Sequence, residues 1–274
     1  MSDGRQRYEF PLTEPILASV RLGGGSITVV AEETSTALVT IAPYDNSEAS
    51  RTAAEQTTVT CTDDRLVVDT PQTASGGWVF RRGGRVRVDL RLPLDSRVRT
   101  QTGSADLHTE GRLAEVQVNT GSGDTYVGQT TGELSVESGS GDVRVDEVGG
   151  ALRVKTGSGD VSATSARGPV VVRVASGDVE IEEAAGPVKV SSASGDVRLG
   201  AVDGPDVSVN SASGDVEVGV PAGTRVWLDL HTMSGSTRSD LEMTGPPTDG
   251  GTPQVSLQVR TMSGDIAIHR AGVR

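Results

Sequence analysis

One phrase carries most of the ionisable chemistry that recurs in this chain: Gly121-Ser122-Gly123-Asp124, Gly139-Ser140-Gly141-Asp142, Gly157-Ser158-Gly159-Asp160, Ala175-Ser176-Gly177-Asp178 and Ala193-Ser194-Gly195-Asp196. The carboxylates of Asp124, Asp142, Asp160, Asp178 and Asp196 follow one another at 18 residues. The column begins one period earlier at Asp106 and continues, after 19 residues, to Asp215. If each period is one coil of a stacked chain, neighbouring carboxylates lie about 4.8 Å apart. Two full charges at that distance repel by roughly 1 kcal/mol in water and about 3–4 kcal/mol at an effective dielectric of 20. Solvation, or hydrogen bonds from corner amides in Asx-type turns, can relieve this. A bridging calcium ion can do so too, since it takes carboxylate oxygens.

The calcium alternative has a partial precedent in the phrase itself, which resembles the Gly-Gly-x-Gly-x-Asp β-roll of calcium-binding toxin repeats. That roll repeats every nine residues with the motif on both edges, whereas here the motif occurs once per 18. The expectation is therefore no cofactor, with calcium as the alternative. A second alternative is a carbohydrate-active β-helix enzyme, because two carboxylates about 5–10 Å apart can do acid/base work on a sugar. It needs a cleft and stacking aromatics, and the regular repeats hold only Tyr126. Ser122, Ser140, Ser158, Ser176 and Ser194 form a hydroxyl ladder with no base recurring beside them, which is not a nucleophile's setting. His108, His231 and His269 share no ligand spacing. The single cysteine, Cys61, permits no intramolecular disulfide and reads as a buried, inert thiol.

Two groups remain as binding candidates. Trp78 and Phe80 stand beside Arg81, Arg82 and Arg85 in a Gly/Ser-rich loop, the residue types of interface hot spots, or else they fold back to plug the structure. Arg153, Lys155, Arg173 and Lys189 fall on outward positions of three successive repeats and make a patch about 10 Å by 7 Å at strand spacings. Lys155 and Lys189 are the chain's only lysines. The expected partner is an unknown protein or an anionic polymer.

These residues must be positioned by strands. With the aspartate as position zero, apolar residues recur at −8 and −6 (Leu152 and Val154; Val170 and Val172; Val188 and Val190) and at +1 and +3 (Val143 and Val145; Val179 and Ile181; Val197 and Leu199). The odd step from −6 to +1 breaks the period-two alternation of one strand, so a corner lies between. The glycine at −1 supplies it. A second corner is expected at the glycine of +8: Gly132, Gly150, Gly168, Gly186, Gly204 and Gly223. A fixed period with alternation inside each unit specifies a solenoid.

The fold class is thus all-β, a single-domain parallel β-solenoid of about 18 residues per coil. It is right-handed by the connection rule for parallel strands. A left-handed hexapeptide helix is excluded because six residues past the −8 position is the corner serine. Residues 1–95 read as an irregular β-rich cap with degenerate coils, 96–219 as the regular coils, and 220–274 as looser coils and a cap. Within the first part, Val20 to Val29 is a degenerate coil with Ser26 in the aspartate's place. Ser47 to Gln56 is a short helix or loop, and Thr57–Cys61 with Arg65–Asp69 is a hairpin. The last repeat, Met262-Ser263-Gly264-Asp265, and the basic tail are expected to close the far end.

The net charge of −12 argues against general nucleic-acid binding. No apolar run approaches the length of a spanning helix, and the N-terminus lacks a secretory h-region, so the expected location is cytoplasmic. The Ser-Gly-Asp-Val ladder, Leu92-Pro93-Leu94, Val220-Pro221-Ala222-Gly223-Thr224 and Thr261-Met262-Ser263-Gly264-Asp265-Ile266 together resemble the bacterial putative-adhesin family of β-strand-repeat domains of unknown function. That resemblance covers nearly the whole chain. It implies a non-enzymatic β-solenoid acting as a scaffold or binding module.

Overall fold

The computed structural model describes residues 5–62, 64–71, 84–241 and 254–272. The chain is an all-β parallel solenoid with one helix among the described residues, and it divides into two compact units, residues 1–142 and 143–274.

The regular coil is seen most plainly in the second unit. One row of parallel, in-register strands comprises β12 (Leu152–Ser158), β14 (Val170–Ser176), β16 (Val188–Ser194) and β18 (Asp206–Ser213). The other comprises β11 (Val143–Val148), β13 (Val161–Ala166), β15 (Val179–Ala184), β17 (Val197–Val202) and β19 (Val216–Val220). The expected columns are all inside: Val170, Val172, Val179 and Ile181 are each no more than 1% exposed. Two further inward columns exist. Position −4 holds Thr156, Val174, Ser192 and Ser211, and +6 holds Val148, Ala166, Ala184 and Val202. Each coil thus fills six inward positions, with larger aliphatic side chains stabilising by about 1.5–3 kcal/mol apiece.

The step from +3 to +6 is again odd, and strand pairing skips +4: Val145 pairs Ala163, then Glu147 pairs Ser165. A third bend therefore divides the coil, where two corners were expected. The corners also use glycine for different reasons. At −1, Gly177 has φ +134° and Gly195 φ +120°, backbone that side chains resist. At +8, Gly186 keeps negative or extended φ, but a Cβ there would sit 2.3 Å from the Gly168 carbonyl oxygen of the preceding coil. Close stacking, not backbone angle, requires that glycine.

The first unit starts with β1 (Gln6–Pro11) and β2 (Leu17–Glu32), followed by β3 (Thr36–Pro43). α1 (Glu48–Gln56) comes next, its N-terminus capped by the Ser47 hydroxyl, which accepts from the Ser50 amide at 3.1 Å. β4 (Thr58–Thr62), β5 (Arg65–Asp69), β6 (Val86–Pro93), β7 (Arg97–Leu113), β8 (Glu115–Ser122), β9 (Thr125–Thr130) and β10 (Leu134–Ser140) complete it. β2 is the degenerate coil expected: Ser26 aligns with Asp106, and Gly25 has φ +130°. β4 and β5 are the expected hairpin. Cys61 lies on the less exposed face of β4 and its thiol is half-buried, not buried as expected. Ala105, at the glycine's place, is absent from the positive-φ residues, and β7 runs through that corner as one strand.

Stacking order departs from chain order at both ends. β2 pairs β7 on one side and β5 with β6 on the other, so the second coil in sequence is the outermost. Antiparallel β4 then covers β5, and β3, itself flanked by β1, covers β6. In the second unit the outermost coil is β20 (Val226–Ser234) with β21 (Thr237–Ser239). The final β22 (Val255–Ser263) and β23 (Ile266–Arg270) are inserted between it and β18 with β19. The last repeat is therefore interior, contrary to the expectation that it closes the end. Insertion buries its Val255, Leu257 and Val259 completely, at 0% exposure.

Candidate functional site

The aspartate ladder is a hydrogen-bonded rail. Because coils stack in register, each corner amide faces the carboxylate of its neighbour. Asp178 N–H donates to Asp160 Oδ1 at 2.9 Å, Asp196 to Asp178 at 2.8 Å and Asp215 to Asp196 at 2.9 Å. Across the inserted coil, Asp265 donates to Asp215, and Ser236 to Asp265, both at 2.8 Å. In the first unit Asp124 donates to Asp106 at 3.1 Å and Asp142 to Asp124 at 3.0 Å. These corner amides thus find their acceptor on the preceding aspartate of the ladder, in the adjacent coil, instead of within one turn. The Ser236 backbone amide, then its side chain, hold the Asp265 carboxyl below the usual carboxylate range.

Inside the corner runs a second rail that apolar periodicity could not reveal. The −4 hydroxyl donates to the −2 carbonyl two residues on: Thr120 to Ser122 at 2.9 Å, Thr156 to Ser158 at 3.0 Å, Ser211 to Ser213 at 3.2 Å and Thr261 to Ser263 at 3.1 Å. Val174 interrupts it. Ser192, which follows Val174 in the stack, is 8% exposed and its Oγ has no partner.

The four predicted cations are brought together. Arg153 and Lys155 on β12, Arg173 on β14 and Lys189 on β16 are all exposed on one sheet face. Lys155 sits directly beside Arg173, and Val171 separates Arg153 from Lys189. At strand spacings the four Cα atoms lie within about 12 Å. Lys155, Arg173 and Lys189 make no ion pair with the described residues. Toward β20 the same two outward columns continue through Ser191, Ser208, Asn210, Gln258 and Arg260 without a carboxylate, and Asp229 on β20, 3.3 Å from Arg260, is the first in that direction.

The other sheet of the same unit is acidic. β15 exposes Glu180, Glu182 and Glu183 together. Arg198 lies 3.5 Å from Asp196 and 3.8 Å from Glu217, and His269 lies 3.5 Å from Glu217. Glu180, Arg198 and Glu217 follow one another in register, and of the two neighbouring pairs only Arg198 and Glu217 come within ion-pair distance.

The remaining histidines are dispersed. His108 stacks on Tyr126 at 4.6 Å and lies 2.9 Å from Glu110, and His231 is exposed on β20. Among the described residues no three His, Cys, Asp or Glu side chains converge to hold a metal ion. A shallow hollow in the first unit is lined by Arg7, Thr28, Thr40, Asp89 and Arg91, with no nucleophile and base in contact. Trp78 and Phe80 lie outside the described residues. Arg85, from the same stretch, is described and stacks over the Tyr44 ring at 3.9 Å. No described helix is long and apolar enough to cross a membrane.

These features define a repeat protein with charged faces and an acidic corner rail. The family model described as Toastrack DUF4097 matches residues 19–269, so the chain belongs to that family. No curated protein matches it in sequence. Among solved structures it is similar to a putative adhesin from Parabacteroides distasonis (12% identity, 96% of each chain, TM-score 0.49). It is also similar to a putative adhesin from Bacteroides fragilis (13% identity, 96% of each chain, TM-score 0.44).

Proposed function

We propose that this protein is a non-enzymatic binding module whose docking surface is the face carrying Arg153, Lys155, Arg173 and Lys189, and that its partner is an acidic chain, protein or other anionic polymer. One observation carries the reading. In a chain of net charge −12, three neighbouring strands concentrate four exposed cations on one sheet, while the opposite sheet of the same unit exposes glutamates. Clustered like charges repel, and a partner that supplies carboxylates or phosphates removes that repulsion on docking. The aspartate rail is read as structural, since one oxygen of Asp124, Asp160, Asp178 and Asp196 is already occupied by the next coil's amide. Polyglutamate binding, measured by isothermal titration, tests the surface. Charge reversal of all four residues to glutamate is expected to abolish binding without lowering Tm; unchanged binding removes the face from consideration.

A further inference from the structure

The outermost coil of the second unit differs from every other coil. Val226, Leu228 and Leu230 of β20 are half-buried, whereas Val255, Leu257 and Val259, their register partners on β22, are fully buried. No described residue pairs with the free edge of β20. At the start of the chain the corresponding edges of β5 and β6 are already covered by β4 and β3. The exposed large hydrophobic side chains among the described residues, Trp227 at 48%, Met233 at 73% and Met262 at 58%, all belong to β20 and β22. An open strand edge with exposed apolar residues is a template for pairing with another chain.

The strand itself says which chain. Under a two-fold axis through Leu230, β20 lies antiparallel to a second β20 and residue 230+k faces residue 230−k. Asp229 then faces the partner's His231, and Trp227 faces the partner's Met233. Leu230 meets its own copy, and Leu228 meets the partner's Thr232. All these pairs keep outward residues with outward and inward with inward, as the alternation of side chains demands. An axis through Asp229 instead opposes two like carboxylates, and an axis between residues sets inward side chains against outward ones. Head-to-tail stacking onto the start of another copy is blocked, because β3 and β4 occupy that site. We infer that the free edge of β20 is an isologous dimer interface, in which two copies of this chain join their sheets through antiparallel β20 strands centred on Leu230. This is independent of the basic face proposed above.

Sedimentation equilibrium on the full chain tests it. The wild type is expected to be a dimer. Asp229→Arg, which sets a guanidinium against the partner's His231 twice per interface, should raise the dissociation constant about tenfold or more. The double variant Asp229→Arg/His231→Glu re-pairs the two positions with signs exchanged and should recover the dimer, with Tm measured on each variant to verify folding. A monomeric wild type overturns the proposal. So does a dimer indifferent to Asp229→Arg, or a double variant no better than the single one.

Discussion

Replacing glycine by alanine at two corners separates backbone strain from inter-coil contact. Gly223 has φ +83° and nothing within 4 Å of a built Cβ, so Gly223→Ala meets only the left-handed backbone. That strain costs roughly 1–2 kcal/mol, offset by about 0.4–1 kcal/mol from the reduced freedom of the unfolded chain. Gly177 has φ +134°, and its Cβ would stand 2.2 Å from the Gly159 carbonyl oxygen and 3.2 Å from Asp160 Oδ1. Ordinary contact needs about 1 Å more, so the two coils must part at the rail or the corner must refold. Bonds shared by these coils, Gly159 N–H to Ser176 O at 3.1 Å and Asp178 N–H to Asp160 Oδ1 at 2.9 Å, then stretch together. With strain of about 1–3 kcal/mol and two hydrogen bonds at about 1 kcal/mol each, the expected loss is roughly 3–5 kcal/mol for Gly177→Ala. The loss for Gly223→Ala is expected to be under about 1.5 kcal/mol. Urea denaturation followed by circular dichroism, with m-values compared to detect loss of cooperativity in a repeat array, reads both. Equal losses at the two sites would refute the stacked-corner account.

Three further expectations follow from the rails and from one ion pair. Asp178→Asn keeps an acceptor for the Asp196 amide and removes one like charge, so its Tm should stay near wild type. Asp178→Ala leaves that amide to water and should cost about 1 kcal/mol; a calcium-dependent rise in Tm abolished by Asp178→Asn would replace the structural reading of the rail with a cation site. Ser192→Ala removes an unpartnered buried hydroxyl and should stabilise by about 1 kcal/mol, whereas Thr156→Val loses a made bond and should destabilise by a similar amount; thermal melts with the same sign for both would contradict the inner rail. Arg112 donates to Asp95 through Nε at 2.9 Å and Nη2 at 2.7 Å and holds its carboxyl below the usual range. A depressed carboxyl contributes stability above its unfolded-state pKa and loses it as pH falls through the folded one. The stability difference between wild type and Asp95→Asn should accordingly shrink on acidification through the carboxylate range and be flat near neutrality; a difference independent of pH would show that the pair is not linked to folding.

The regular coils were legible because aliphatic columns and corner glycines recur at one period, and each column needs only local alternation to be placed. The basic face followed from the same register, which put Arg153, Lys155, Arg173 and Lys189 opposite the buried valines. The ends were not legible in that way. Chain order says that 226–239 precedes 255–270, but the stack is decided by which coil covers the core more completely, and Val255, Leu257 and Val259 take the interior place. The −4 column was hidden because Thr156, Ser192 and Ser211 are polar; Thr156 and Ser211 turn inward through hydroxyl bonds that no hydropathy pattern encodes, and Ser192 shares their column without one. The third bend at +4 was hidden likewise, since Asp146, Thr164 and Glu182 mark it with no shared residue type. The partners of the aspartates depended on the offset between coils, and only the three-dimensional register supplies that.

The central claim, that Arg153, Lys155, Arg173 and Lys189 act together as an anion-docking surface, is tested most directly by the salt dependence of polyglutamate binding to the full chain. An interface that releases counterions from several charges weakens linearly in log affinity against log salt, with a slope that scales with the number of charges neutralised. The account predicts a steep slope for the wild type, a stepwise shallower one as the four residues are changed to glutamine in turn, and no measurable binding when all four are replaced. A slope and affinity unaltered by those replacements would contradict it.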